Sequence, residues 1–258
     1  FAVISILIAL LYISVPIFYN YDKSKIENIV CKDFKFQCTI QGKVKYSFIP
    51  SPRIKFNNFI IRDLSDKSKV LAKIEKVAVS ISLRNLINKE KFNYSSIKLT
   101  TAEINLDLKK FDKYKKFYRE KFNFKPIILK KGTINFYENK KYITNVKSIK
   151  FKHSSNKKAN KSVLQGKFLN DKISLKLQDN KNDKKISKVL FLKLTDSKLL
   201  TKINVFNKSL KSNSISGNIL FKQGKSRLTA IFNYKDHRVL FDKANLSTPF
   251  LDGKLNGQ

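Results

Sequence analysis

Methionine and tryptophan are absent from this 258-residue chain, and cysteine, histidine, proline and glycine are scarce. Two Cys and two His leave almost no material for a structural zinc site, which uses four such ligands. Seven Gly and five Pro exclude collagen-like and linker-like sequences. We expect the chain to be a fragment, truncated at both ends, because it contains no Met and its first residue already lies within an apolar run.

Acidic residues are also scarce: the chain has 19 Asp and Glu and 54 Lys and Arg, which gives a formal net charge of +35. Of the basic residues, 48 are Lys and 6 are Arg, and an excess of Lys, Asn and Ile is typical of an AT-rich genome whatever the protein does. Proteins that read nucleic acid more often use Arg, whose paired donors fit a guanine edge or a phosphate. We therefore expect no specific nucleic-acid partner, although the charge should attract phospholipid headgroups at low salt.

Hydrophobic residues make up 42% of the chain and begin with an almost uninterrupted run. Residues 1–19 carry no charge, and a helix of that length, at about 1.5 Å per residue, approaches the roughly 30 Å hydrocarbon core of a bilayer. A cleaved signal peptide would have a shorter apolar region ending in a small-x-small site, and residues 20–23 offer no such site. We predict an uncleaved transmembrane anchor over residues 1–21, with residues 22–258 forming a β-rich domain outside the cytoplasm.

Beyond the anchor, apolar and polar residues alternate with period two, which predicts strands with one apolar and one wet face. The alternation is unbroken from Lys35 to Phe48 and predicts one strand that ends before Pro50. A phase slip at Glu75-Lys76 predicts a β-bulge. The pair Asn170-Asp171 predicts a hairpin turn.

Predicted helices are few and short. Residues 22–33 read as a short helix, Leu83–Glu90 as a short helix or turn, and Asp112–Phe122 as an amphipathic helix crossing one face or end of the sheet. A parallel sheet needs a crossover helix between most strands, so the predicted fold is mainly β and antiparallel, with one apolar face. That face must meet a second sheet, close on itself as a barrel, or hold something apolar that is not protein.

Catalytic patterns are missing from the sequence. His153 and His237 lie among Lys and polar residues, so we expect both on the solvated surface. No GxSxG, HExxH, Walker A or GxGxxG motif is present, and we predict no enzyme activity, no cofactor and no metal site. Cys31 and Cys38 allow two interpretations, which are a disulfide worth roughly 2.5 kcal/mol, or a small core residue at position 38 with an incidental Cys31.

Three passages carry a resemblance to a known family. The first runs from Gly42 to Phe59 and includes a Pro-containing corner, the second covers residues 71–87, and the third covers residues 97–108. Residues 164–168 carry a weaker resemblance to the same family. In this order, behind an apolar N-terminal run, the passages resemble the AsmA family over about residues 1–108.

The resemblance implies a single-pass inner-membrane protein of a Gram-negative-type envelope, with its main domain in the periplasm. It also implies a long curled sheet with an apolar groove, along which relatives such as the TamB-like and bridge-like lipid-transfer proteins are thought to pass acyl chains. The expected partners are phospholipid, the inner membrane and other envelope proteins. The expected groove-facing, lipid-binding residues are Phe36, Ile40, Val44, Tyr46, Phe48, Phe56, Ile74, Val79, Ile81, Ile104 and Leu106.

Two functions remain open at this stage. The first is a lipid-binding conduit that contributes to lipid transport between membranes and to outer-membrane homeostasis. The second is a non-transporting envelope scaffold, in which the apolar face forms an ordinary core and the domain aids outer-membrane assembly through protein contacts.

Overall fold

The structure is a computed structural model that describes residues 2–19, 22–31, 36–49, 51–63, 66, 68–82, 94–114, 116, 126–156, 158–182, 185–207, 215–235 and 238–257. Helix α1 spans Ala2–Ser14 and continues into a 3-10 turn over Val15–Phe18. Helix α2 spans Lys23–Cys31, in agreement with the helix predicted there. In the described part of the chain, no helix combines the length and the apolar character needed to cross a membrane.

The described residues are mainly β, as predicted. Their fifteen strands are β1 Phe36–Ile40, β2 Lys45–Ser47, β3 Arg53–Asp63, β4 Val70–Ile81, β5 Tyr94–Asp107, β6 Ile127–Glu138, β7 Lys141–Ser155, β8 Ala159–Phe168, β9 Asp171–Asn182, β10 Lys185–Leu194, β11 Leu199–Asn207, β12 Ile215–Gln223, β13 Ser226–Lys235, β14 Arg238–Ser247 and β15 Asp252–Gly257.

The chain divides within β7 into two compact units, unit 1 (Phe1–Lys150) and unit 2 (Phe151–Gln258). In unit 1 the hydrogen-bonded order is β1–β3–β4–β5–β6–β7, with β2 paired to the first part of β3. In unit 2 the strands from β8 to β15 are ordered as they occur in the chain. Each order is an open path, so neither unit closes into a barrel by the strand pairs described.

Pairing is mostly antiparallel, but β5 and β6 run parallel, with Ile97 opposite Ile127. The prediction of a mainly antiparallel sheet is confirmed, and this parallel pair is an exception to it. Parallel neighbours need a long crossover, which is supplied here by residues 108–126. Within it, residues 111–114 and 116 are helical, where the sequence predicts the Asp112–Phe122 helix. The rest of that helix, and the helix or turn predicted over Leu83–Glu90, lie outside the described residues.

The core of unit 1 lies on the apolar face of its sheet. Cross-strand register aligns apolar residues of four strands, as in the row Ile54, Val79, Ile97 and Ile127. Ile149 of β7 is completely buried and lies against Gly132 of β6. A Cβ atom added to Gly132 would lie 2.6 Å from the Leu129 Cδ2 atom and 3.3 Å from the Ile149 Cβ atom, so the absence of a side chain at Gly132 permits this packing.

The phase slip at Glu75-Lys76 exists, but it is not a bulge. Asn57 pairs with Lys76 and Phe59 pairs with Ile74, so the register is the same on both sides of Glu75. A bulge would have changed it, as happens elsewhere in β4 between Ser80 and Ile81.

The register is unchanged because the neighbouring strands have their irregular backbone at aligned positions. Asn58, Thr101 and Lys131 have left-handed backbones, with φ values of 53°, 52° and 59°. The residue pairs on either side of them show that Asn58 of β3, Glu75 of β4, Thr101 of β5 and Lys131 of β6 lie in one row across the sheet. We call Asn58, Glu75, Thr101 and Lys131 the slip row. Ser148 of β7 has the same backbone conformation, with φ of 53°. Apolar residues therefore stay on one face on both sides of the row.

The slip row also explains why the strand predicted from Lys35 to Phe48 is two strands. β1 pairs with residues 59–63 of β3 and β2 pairs with residues 53–55, so the break lies opposite the irregular backbone at Asn58. In the break, the Gly42 amide donates a hydrogen bond to the Asn57 carbonyl at 3.1 Å.

Candidate functional site

Unit 2 presents a continuous apolar face. Register aligns one side chain from each strand between β8 and β14 in the row Leu164, Leu175, Leu192, Thr201, Phe221, Leu228 and Leu246. The adjacent row, from β9 to β14, is Leu177, Leu190, Ile203, Ile219, Ala230 and Ala244. We call these two rows the apolar stripe. Seven strands about 4.8 Å apart span roughly 29 Å, about twice the hydrocarbon depth of one bilayer leaflet.

Unit 2 does not cover the apolar stripe with a second layer of its own. Its described residues form strands and turns, and none of them is helical. The larger side chains of the stripe are consequently half-buried, and Leu177 is 42% exposed. Among the described hydrophobic residues of unit 2, Ala230 and Ala244 are the two that are fully buried. The stripe is therefore open to an apolar occupant.

The opposite face of unit 2 is mainly polar and basic, although apolar residues such as Leu220 and Ile231 also lie on it. Exposed cations lie directly across from one another in neighbouring strands, as Lys167 does from Lys172 and Lys222 from Arg227. Such like-charged pairs are unfavourable unless water or anions surround them. This face is therefore suited to solvent or to an anionic surface.

The eleven lipid-binding residues predicted from the sequence all lie in unit 1. The fully buried members are Phe36, Ile40, Phe56, Ile74 and Ile81, and the half-buried members are Val44, Tyr46, Phe48, Val79, Ile104 and Leu106. Protein covers the first group in this conformation, so the apolar stripe is the more accessible apolar surface. A lipid role for the eleven residues stays a prediction.

A buried carboxylate fixes the crossover segment at one end of the unit 1 sheet. Asp63 is 1% exposed, accepts a hydrogen bond from the Lys110 ammonium at 3.0 Å and lies 3.6 Å from that of Lys113. The hydrogen bond with Asp63 raises the pKa of Lys110. The Lys113 ammonium also lies 4.5 Å from the ring centre of Phe36. These contacts hold the start of the crossover against β1 and β3.

The N-terminal helices are attached to the first strands. Cys31 of α2 and Cys38 of β1 form a disulfide with their Cα atoms 5.9 Å apart, and Glu27 accepts a hydrogen bond from the Ile40 amide at 2.6 Å. The Tyr46 hydroxyl donates to the Ile13 carbonyl at 2.8 Å, which connects the end of α1 to β2.

Most side chains of α1 and of the following turn are apolar, and many are exposed, although Pro16 is buried. Val3 is 70% exposed, Leu11 67% and Phe18 85%. Contiguous exposed apolar surface of this kind marks contact with a membrane or with another protein.

The prediction that His153 is a solvated surface residue is wrong. Its side chain is 2% exposed, and its Nδ1 atom lies 2.9 Å from the Ser162 hydroxyl. The flanking Lys residues suggested a wet environment, but period two turns them to the opposite face of β7. His237 lies outside the described residues.

The predicted hairpin turn at Asn170-Asp171 is displaced by one residue. Leu169 and Asn170 both have positive φ, as a two-residue hairpin turn requires, and Asp171 begins β9. The Asp171 carboxylate accepts hydrogen bonds from the backbone amides of Asp196 and Ser197, both at 2.8 Å, and so joins two neighbouring hairpin turns.

Sequence reasoning did not select the apolar stripe, although its signal is present. Period-two alternation predicts each strand of unit 2 separately. The residues predicted to bind lipid nevertheless lie only in the early strands, because the resemblance covers about residues 1–108. Only the pairing register shows that the apolar positions of unit 2 align into rows.

Comparison with curated proteins gives no match. The model of the AsmA family matches residues 1–116, a segment that runs from α1 through β5 into the crossover. The AsmA resemblance predicted from the sequence is thereby confirmed for residues 1–116 of the chain.

Proposed function

We propose that this chain is an envelope protein that binds phospholipid acyl chains on an apolar sheet face and contributes to lipid transport between membranes and to outer-membrane homeostasis. The observation that carries the proposal is the apolar stripe of unit 2, a half-buried apolar surface that spans seven strands. Transfer of such surface from water to hydrocarbon is favourable by about 25 cal/mol per Å². An acyl chain lying across the strands would gain this energy.

The two faces of unit 2 suit the two parts of a phospholipid. Hydrocarbon would lie on the stripe, while the basic face would remain in water or near anionic headgroups. The AsmA match supports this assignment, since the large open sheet fits an envelope protein that handles lipid.

In this proposal, residues 1–21 anchor the chain in the inner membrane and the rest lies in the periplasm. The exposed apolar side chains of α1 support membrane contact. An alkaline phosphatase fusion after Phe56 should be active. An inactive phosphatase together with an active cytoplasmic reporter at the same position would contradict this orientation.

A scaffold function has one observation in its favour, which is the burial of the apolar face in unit 1. Phe56, Ile74 and Ile149 are covered by the chain itself. For unit 2 to act only as a scaffold, a partner protein would have to cover the apolar stripe.

The proposed function is tested by the lipid that co-purifies with the chain. Mass spectrometry should detect phospholipid with the wild type and much less with Ile219→Asp, because a carboxylate on the stripe opposes contact with hydrocarbon. The matched control is Asn218→Asp, since residue 218 lies on the opposite face next along the strand. No lipid with the wild type, or equal losses in both variants, would contradict the proposal.

A further inference from the structure

The polar face of unit 1 contains an open cavity of about 950 Å³. Small-molecule sites usually measure about 300–1,000 Å³. All four residues of the slip row line this cavity. At the slip row, β3, β4 and β6 each have two consecutive polar residues that are exposed to solvent, as Lys130 and Lys131 are in β6.

The left-handed backbone at Thr101 and Lys131 of the slip row is unfavourable for those residue types. Asn58, Thr101 and Lys131 all have positive φ, and a β-branched Thr rarely adopts this conformation. Strained backbone of this kind concentrates at binding sites, where the surrounding structure maintains it. The cavity is thus formed by a specific arrangement of four strands.

The carboxylates of the cavity already have partners. Glu103 accepts a hydrogen bond from the Asn135 amide at 3.1 Å. Glu75 lies 3.2 Å from the Lys76 ammonium, and a hydrogen bond from Thr101 holds the pKa of Glu75 below its usual value. Glu103 also lies directly opposite Lys73 in the pairing of β4 with β5, and the charge of Lys131 contributes to the lowered pKa of Glu75.

Cations outnumber carboxylates in the cavity lining, which contains Arg62, Lys73, Lys131 and Lys147 but only two carboxylates, those of Glu75 and Glu103. No ion pair joins Arg62 or Lys147 to a carboxylate within the described ranges. Arg62 is one of only six Arg in a chain with 48 Lys, so general Lys enrichment does not account for it. Its planar guanidinium can donate two parallel hydrogen bonds to one phosphate.

We propose that this cavity binds a phosphate-bearing polar ligand. Arg62 and Lys73, which lie on the neighbouring strands β3 and β4, would contact the phosphate, and Thr133, Asn145 and Lys147, on β6 and β7, would bind the remaining polar groups. The ligand is either a free phosphorylated solute or the headgroup of a phospholipid. The site lies on the polar face and does not depend on lipid binding to the apolar stripe.

The test is isothermal titration of the full chain with orthophosphate and with glycerophosphoglycerol, a soluble phosphodiester headgroup, at constant ionic strength. Wild type should bind at least one of the two probes. Arg62→Gln and Lys73→Gln should each weaken that binding at least fivefold, because each removes one charged donor. Lys98→Gln is the matched control, since Lys98 is an exposed lysine of β5 outside the cavity lining, and it should change binding less than twofold.

Tighter binding of orthophosphate would identify a free phosphorylated solute, and tighter binding of the phosphodiester would identify a lipid headgroup. Lys73→Gln, at an exposed position, carries the test if Arg62→Gln does not fold. Absence of binding to both probes, or equal weakening by Lys98→Gln, would overturn the proposal, since it would leave only nonspecific attraction to a basic protein.

Discussion

The ring of Phe232 lies over Gly217 in the neighbouring strand. The two residues are directly paired, and a Cβ atom added to Gly217 would lie 2.5 Å from the Phe232 Cζ atom and 2.5 Å from the Asn204 carbonyl oxygen. Aromatic side chains commonly cover strand glycines in this way. The pair lies beside the apolar stripe, so the stability of variants at Gly217 shows whether side chains on that face have fixed positions.

Gly217→Ala should therefore destabilise the protein by about 1–3 kcal/mol, because either the ring or the backbone must shift. Chemical denaturation measures this change. The control is Gly253→Ala in β15, where an added Cβ meets nothing within 4 Å. Equal stability of the two variants would show that the ring does not occupy the space above Gly217.

The left-handed backbone of Lys131 predicts opposite effects at two adjacent lysines. Lys131→Gly should stabilise the protein by about 1 kcal/mol, because glycine adopts positive φ without steric cost. Lys130→Gly should destabilise it by about 0.5–1 kcal/mol, as glycine does within an ordinary strand. Thermal unfolding of the two variants measures the difference. Destabilisation by both substitutions would exclude a left-handed Lys131.

Asp171 predicts loss of stability in acid. Partial burial opposes ionisation of its carboxyl group, but hydrogen bonds from Ser197 and Asp196 outweigh burial and lower its pKa to about 2. The unfolded chain has a pKa near 3.9, so ionised Asp171 favours the folded state above about pH 4, and this contribution disappears as the pH falls from about 4 to 2.

Asp171→Asn should remove that pH dependence and lower stability at neutral pH. Unfolding measured between pH 2 and 7 tests this expectation, with the exposed Asp252→Asn as control. An unchanged pH profile in Asp171→Asn would mean that the carboxylate does not hold the 195–198 turn.

The covered and open apolar faces predict different costs for a buried charge. Ile149→Asp should destabilise unit 1 by several kcal/mol, because Ile149 is completely enclosed. Ile219→Asp should cost much less, because water can reach a half-buried position on the stripe. Urea denaturation compares the two variants. Equal costs would indicate that protein also encloses the stripe.

Much of the fold is predictable from the sequence, because alternation of apolar and polar residues with period two indicates which face of a strand is exposed to solvent. The alternation does not show which strands pair, so it does not predict the parallel alignment of β5 with β6. The slip row has a local signature of two polar residues between apolar ones, as in Phe56–Phe59, Leu99–Ala102 and Leu129–Gly132. Its meaning depends on alignment across strands.

The candidate site was less predictable for a related reason. Alternation shows that a face is apolar but not what covers it. Phe56 and Ile219 follow the same pattern, yet Phe56 is buried and Ile219 is half-buried. Long-range packing decides between these outcomes, and no local pattern encodes it.

The most direct test of lipid binding is photocrosslinking in native membranes with a photoreactive residue at position 219. Residue 219 lies on the apolar stripe, and the control position 218 follows the other face of the same strand. The proposed function predicts phospholipid adducts at 219 and few at 218. Protein adducts alone at 219, or equal lipid labelling at both positions, would contradict it.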